Sequence, residues 1–261
     1  MSEHIILEPR WRPQAALIRL NRPEKSNAIT AATARRFMDA LQDAEDHGDT
    51  RCVVIRGSRS MFSGGADLEE MASNDPEVTL RLINVMTKLF LAIRTSMLPV
   101  VAVVEGPCVG GGYHINMAAD YTIATENAWF RHTGVDVGIA PMMPGTMMVP
   151  GMIGWKKAAS MVLWPRKVMA EEALTLGLCS EVVAEAELEE VIDARIATLV
   201  ARDRITAALG KAEMNAAWGG MFGSSMLAQL AGFLHARSPD VHAKMKAYQE
   251  GLGRKPAFPT V

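Results

Sequence analysis

Two short apolar strands each run into a glycine-rich turn that opens a helix, and this pairing constrains the chain more than any other feature. The first strand, "CVVIRG" (Cys52–Gly57), leads to "MFSGGADLEEM" (Met61–Met71), and the second, in "LPVVAVVEG" (Leu98–Gly106), leads to "PCVGGGYHINMAAD". A continuous apolar run ended by glycine is the pattern of a strand covered on both faces. Glycine lets backbone approach another group closely, and the first N–H groups of a helix have no partner inside it. The helix dipole makes such a terminus attractive to negative charge. Two such turns facing each other can each give one N–H to a single oxygen. That is an oxyanion hole, in which each donor is worth about 3 kcal/mol at the transition state. Either loop alone fits tight packing equally well, because the glycine triplet matches neither the dinucleotide nor the P-loop spacing and no GKS/T is present.

Strand and helix signals alternate through the first half. "AALIRL" (Ala15–Leu20) reads as a strand, and "TAATARRFMDALQDAEDH" has helical spacing with Thr30 as its N-cap. The stretch Pro76–Thr95 carries Leu80, Leu82, Val85, Met86, Leu89 and Ile93, mostly at helical steps, and "DYTIAT" (Asp120–Thr125) is a further strand. This alternation predicts an α/β fold around a largely parallel sheet with right-handed crossovers. From about Lys156 the chain reads helical, with one short strand near "SEVVA". The expected division is an α/β core over residues 1–200 and a helical region over 201–261. That region can pack on its own core or on a neighbouring subunit.

Composition narrows the partners. Hydrophobic residues make up 49% and charged residues 21% of the 261 positions. This is the balance of a folded globular protein. No apolar run reaches the ~20 residues needed to span a bilayer, and "MSEHIILEPRW" lacks a signal-peptide pattern. The three cysteines, Cys52, Cys108 and Cys179, are odd in number and far apart. They read as core residues in a reducing, cytoplasmic compartment, with neither metal spacing nor a disulfide framework. A net charge of −2 gives no global field for nucleic acid, and the longest predicted helix, Pro76–Thr95, has few basic residues.

Taken together, "LNRPEKSNAIT", "FSGGADLEEM", "PVVAVVEGPCVGGGYHINMAADYTIATENAWF", "MAEEALTLGLCSEVV" and "SPDVHAKMKAYQEGLGRKPAF" give the chain a resemblance to the enoyl-CoA hydratase/isomerase (crotonase) superfamily over nearly its whole length. The resemblance implies a spiral core of β-β-α turns and a C-terminal helical trimerisation region, giving a homotrimer or a dimer of trimers. It implies an acyl-CoA thioester as substrate, with coenzyme A arriving as part of that substrate and no metal or separate cofactor. By the same resemblance the oxyanion donors are the N–H groups of Ala66 and Gly111, and Asp67 and Leu68 sit beside the pantetheine arm. Lys25 would lie near the nucleotide end, although a solvated turn lysine fits that position as well.

The chain departs from that family's pattern at two positions. Hydratases of this family carry one glutamate shortly after the glycine triplet and another twenty residues later, where this chain has His114 and Gly134. An imidazole, with an ordinary pKa near 6.5, is suited to acid–base work at neutral pH, so His114 is the expected acid/base. "HTGVDVG" resembles the version found in dihydroxynaphthoyl-CoA synthases, whose downstream aspartate has no counterpart in "APMMPG". Gly134 would make room for a bulky acyl group or a small anion. If this segment is extended, His132 and Asp136 share a face and can reach inward, for chemistry or for a structural hydrogen bond. The methionines of "IAPMMPGTMMVPGM" fit either an acyl pocket or ordinary core. Three functions follow: enoyl-CoA hydratase or isomerase chemistry, hydrolytic carbon–carbon cleavage of a β-dicarbonyl substrate, or CoA binding without catalysis.

Overall fold

The computed structural model describes residues 4–139 and 145–216, with residues 243, 246, 247 and 250 as further helical positions. The strands are β1 (Ile5–Arg12), β2 (Ala15–Leu20), β3 (Cys52–Arg56), β4 (Val100–Val104), β5 (Pro107–Val109), β6 (Tyr121–Thr125), β7 (Trp129–Arg131), β8 (Val168–Met169) and β9 (Glu181–Val183). The helices are α1 (Ala31–Asp46), α2 (Leu68–Met71), α3 (Pro76–Thr95), α4 (Gly111–Ala118), α5 (Gly145–Ile153), α6 (Trp155–Leu163), α7 (Ala170–Leu176), α8 (Leu188–Val200) and α9 (Arg204–Ala216).

The larger sheet has the order β1-β2-β3-β4-β6-β9. Strands β2 through β9 in it run parallel, and β1 closes one edge as an antiparallel hairpin partner of β2. Every residue of β3 and β4 is buried, as continuous apolar runs require when both faces are covered. One face, with Ile18, Val53, Ile55 and Ala102, packs on α1 and α3 through Phe37, Leu82, Met86 and Phe90. The other, with Leu17, Val54 and Val103, packs on α8 through Leu188, Ile192 and Ile196. A smaller sheet, β5-β7-β8, lies beside the larger one. Its strands have at most three residues each, too short to carry an alternating signal. Bridges at Ile29–Ala66 and Ser63–Cys108 extend the same layering into the glycine-rich loop.

The sequence expectations hold for the main elements. Thr30 caps α1, accepting from the Thr33 N–H at 3.0 Å. The three cysteines are buried and free. Burial pushes the Cys52 and Cys179 thiols up to about 12. Helix α9, at the start of the C-terminal region, docks on the core. The Lys211 ammonium is buried, donating to Ile93 O at 3.2 Å and Leu98 O at 3.1 Å and pairing with Asp120 at 2.7 Å. "SPDVHAKMKAYQEGLGRKPAF" and "APMMPG" fall largely outside the described residues, so the trimerisation region and the aspartate comparison are not addressed by this structure. Among the described residues no helix is long and apolar enough to cross a membrane.

Candidate active site

The turn "NRPEKSNA" clasps the first glycine-rich loop. Ser26 and Asn27 take left-handed backbone, with φ of 54° and 52°. This conformation turns the chain back toward the core. From there the Asn27 amide donates to Met61 O at 2.9 Å and Phe62 O at 3.1 Å, while Gly64 N–H donates to Ser26 O at 2.8 Å. Ser63 Oγ donates to Asn27 O at 2.9 Å and accepts from Gly65 N–H at 3.1 Å. The Arg22 guanidinium pairs with the buried Asp67 carboxylate at 2.6 Å. Asp67 also caps α2, accepting from the N–H groups of Glu69 and Glu70. With its oxygens engaged by Arg22 and the helix cap, Asp67 is placed to hold the loop's shape.

This clasp aims the backbone at Ala66. Ile29 N–H donates to Gly65 O at 2.8 Å, and the Ile29 carbonyl accepts from Asp67 N–H at 2.9 Å. In such a parallel bridge the residue between the two bonded positions turns its own N–H to the opposite side. That residue is Ala66, and α4 begins on that side. A Cβ on Gly65 (φ 101°) would lie 2.6 Å from the Gly111 nitrogen, and one on Gly111 would lie 3.1 Å from the Ala66 nitrogen. The two turns therefore touch through bare backbone. Gly111 is the first residue of α4, so its N–H has no partner within the helix. Among the described residues neither the Ala66 nor the Gly111 N–H donates a hydrogen bond.

His114 stands one turn into α4, its N–H bonded to Gly110 O at 3.1 Å. Three residues beyond Gly111, its side chain lies on the same helical face. It is 3% exposed and stacks at 5.4 Å from the Phe90 ring of α3, whose Met86 also reaches Gly111. The second histidine, His132, is 2% exposed and meets His114 edge-on, with ring centroids 5.2 Å apart at 83°. Tyr113 packs edge-on against both rings. Burial, with the neighbouring imidazole adding to it, lowers the His114 pKa well below 6.5; burial takes His132 down to about 4. Both rings are therefore neutral at pH 7. Among the described residues neither buried Nδ1 has a hydrogen-bond partner, while His132 Nε2 lies 3.2 Å from Thr146 Oγ1 of α5.

The segment after His132 is not extended, so the condition under which His132 and Asp136 share a face is not met. Residues Val135–Val137 form a 3-10 turn closed by Gly138 in left-handed backbone, so His132 and Asp136 do not share a face. His132 turns inward, whereas Asp136 is partly exposed and accepts from Arg131 at 2.9 Å. Gly134 sits at the head of this turn with ordinary right-handed backbone (φ −53°). Leu68 opens α2, next to Ala66 and Asp67. Lys25 is solvent-facing and pairs with Glu69 at 2.7 Å, while Glu70 accepts from Ala31 N–H at 2.8 Å at the start of α1. Sequence reasoning does not single out Phe90, Met86 or Thr146 for the site. The first two are visible there only as an i, i+4 apolar pair on α3. Among the described residues no group of three His, Cys, Asp or Glu side chains could hold a metal ion.

Two touching strand-to-helix turns, with the rings of Phe90, Tyr113, His114 and His132 clustered beside the second, mark the candidate site of this α/β fold. A family model described as enoyl-CoA hydratase/isomerase matches residues 12–258. A probable enoyl-CoA hydratase of Rhodobacter capsulatus is 35% identical over 184 residues, covering 70% of this chain and 71% of that protein. The mitochondrial Δ(3,5)-Δ(2,4)-dienoyl-CoA isomerase of Rattus norvegicus is 34% identical over 183 residues, covering 66% and 56% respectively. The solved structure of an enoyl-CoA hydratase/isomerase from Xanthobacter autotrophicus Py2 superposes with a TM-score of 0.86 at 25% identity, covering 100% of both chains. The chain belongs to the enoyl-CoA hydratase/isomerase family, within the crotonase superfamily, and has its fold.

Proposed function

We propose that the protein binds an acyl-CoA thioester with its carbonyl oxygen between the N–H groups of Ala66 and Gly111, and that His114 is the acid/base. The observation that carries this reading is the contact between the Gly65–Ala66 and Gly110–Gly111 backbones, which leaves two N–H donors side by side with no partner among the described residues. Fixed dipoles of this kind favour an oxygen on which charge develops, with no reorganisation at the moment of reaction. A neutral His114 begins as a base. In isomerisation its lone pair takes a proton from carbon, the C–H electron pair flows into the thioester oxygen as an enolate, and the imidazolium returns the proton at another carbon. In hydration it takes a proton from water as the water oxygen bonds to the β-carbon, then delivers that proton to the α-carbon. Both schemes return His114 to its neutral form. The lowered basicity that burial imposes makes the second transfer easy and the first harder.

The test is turnover and calorimetric binding of short enoyl-CoA thioesters by the wild type and His114→Ala. Loss of turnover with CoA-thioester binding retained supports the reading, and full activity in the variant overturns the role of His114. If no CoA thioester binds and a β-diketone is cleaved, the carbon–carbon hydrolase reading replaces it.

A further inference from the structure

The two histidines present a second feature that proton transfer by His114 alone does not use. Their rings touch edge-on, each is almost wholly buried, and each has a buried Nδ1 with no hydrogen-bond partner among the described residues. His132 is fixed from behind, because its Nε2 faces Thr146 Oγ1. A hydroxyl can donate or accept, so Thr146 lets His132 offer either a lone pair or an N–H at Nδ1. Around the pair lie aromatic rings, Phe90 against His114 and Tyr113 against both histidines.

We propose that His114 and His132 together recognise an uncharged oxygen, a hydroxyl or carbonyl, on the acyl chain of the substrate, with His132 as the specificity-determining member. The proposal rests on the acyl-CoA reading above. Buried polar atoms are ordinarily satisfied, and an unsubstituted hydrocarbon chain lying against this pair would leave both nitrogens unpaired. Sites built in this way reject analogues that lack the matching oxygen far more strongly than apolar pockets reject a missing methylene. Both imidazoles are neutral, so the pair brings no positive charge to a carboxylate, which would lose its hydration on entering.

Calorimetric titration with matched four-carbon thioesters tests this: butyryl-CoA, 3-hydroxybutyryl-CoA, 4-hydroxybutyryl-CoA, acetoacetyl-CoA and succinyl-CoA. On the wild type at least one of the three uncharged oxygenated probes is expected to bind about tenfold more tightly than butyryl-CoA, or about 1.4 kcal/mol. His132→Phe is expected to bring that ratio to within about twofold, and His132→Gln, which keeps a hydrogen-bonding end, to restore part of it. Thr146→Val, acting only through His132, should reduce the ratio less. Equal binding of all probes by the wild type overturns the proposal without recourse to any variant. So does tightest binding of succinyl-CoA, or a ratio that survives His132→Phe. If even butyryl-CoA fails to bind, the acyl-CoA reading itself falls and takes the proposal with it, an outcome distinct from equal binding.

Discussion

Arg22 and Asp67 meet at 2.6 Å with both side chains mostly withdrawn from solvent, and this pair locks the "NRPEKSNA" turn to the loop that presents Ala66. Removing one partner leaves the other charge buried, which costs more than the pair itself contributes. Arg22→Ala is expected to destabilise the fold by about 3 kcal/mol, read as a lower denaturant midpoint at unchanged slope. An unchanged midpoint would show that the clasp is not needed for stability.

Gly65 and Gly111 face the same contact but should tolerate a methyl group very differently. At Gly65 the backbone has φ 101° and the new Cβ would strike the Gly111 nitrogen; at Gly111 the nearest atom is the mobile end of Met86. Gly65→Ala is therefore expected to lower kcat/KM for a CoA thioester by about 100-fold or more, the scale of losing an oxyanion donor. Gly111→Ala should cost less, since Met86 can swing aside and the Ala66 nitrogen, 3.1 Å from the new Cβ, need give by only tenths of an ångström. Comparable activity in the two variants would argue against the geometry of the hole.

The buried imidazoles make stability depend on acid. The folded His132 has its pKa depressed to about 4. The unfolded residue titrates near 6.5, so the unfolded chain takes up the proton first as pH falls. Stability is full above pH 6.5 and declines toward pH 4, by about 1.4 kcal/mol per pH unit for one such group. His114, its pKa likewise lowered by burial and by the neighbouring His132, adds to the same slope. His132→Asn is expected to flatten the dependence between pH 6.5 and 4 in denaturation series. A slope identical to that of the wild type would place the source elsewhere.

Lys211 fastens α9 to the core through Asp120 and two backbone carbonyls. Lys211→Met removes the buried cation while keeping much of its length. The expected result is a loss of about 3 kcal/mol and faster hydrogen exchange in α9 than in the central sheet. Uniform exchange across both elements would mean that the helix and the core unfold together.

Legibility in the sequence follows the length of each signal. Strands β2, β3 and β4 and helices α1 and α3 carry long periodic or continuous apolar runs, and the structure places them there. The small sheet escapes because two- and three-residue strands have no period to detect. At the site, glycine spacing points to the two loops that carry Ala66 and Gly111, yet their meeting depends on the Ile29–Ala66 bridge, which no local pattern encodes. His114 and His132 are each visible, but not their contact. It arises because β7 pairs with β5 just ahead of α4, bringing chain positions eighteen apart onto one wall. The 3-10 turn at Val135–Val137 is not legible either, since the alternating valines of "GVDVG" suit a strand equally well.

The touching turns at Gly65 and Gly111 divide the molecule's chemistry into two inheritances. Main-chain amides are spelled by no side chain, so exchanging a reactive residue nearby leaves them where they were. A histidine can therefore stand at position 114, and nothing but hydrogen at 134, without moving the amides of Ala66 and Gly111. On the proposed reading the scaffold thereby separates holding a reactive carbonyl from choosing what happens to it, and only the second is open to revision one codon at a time.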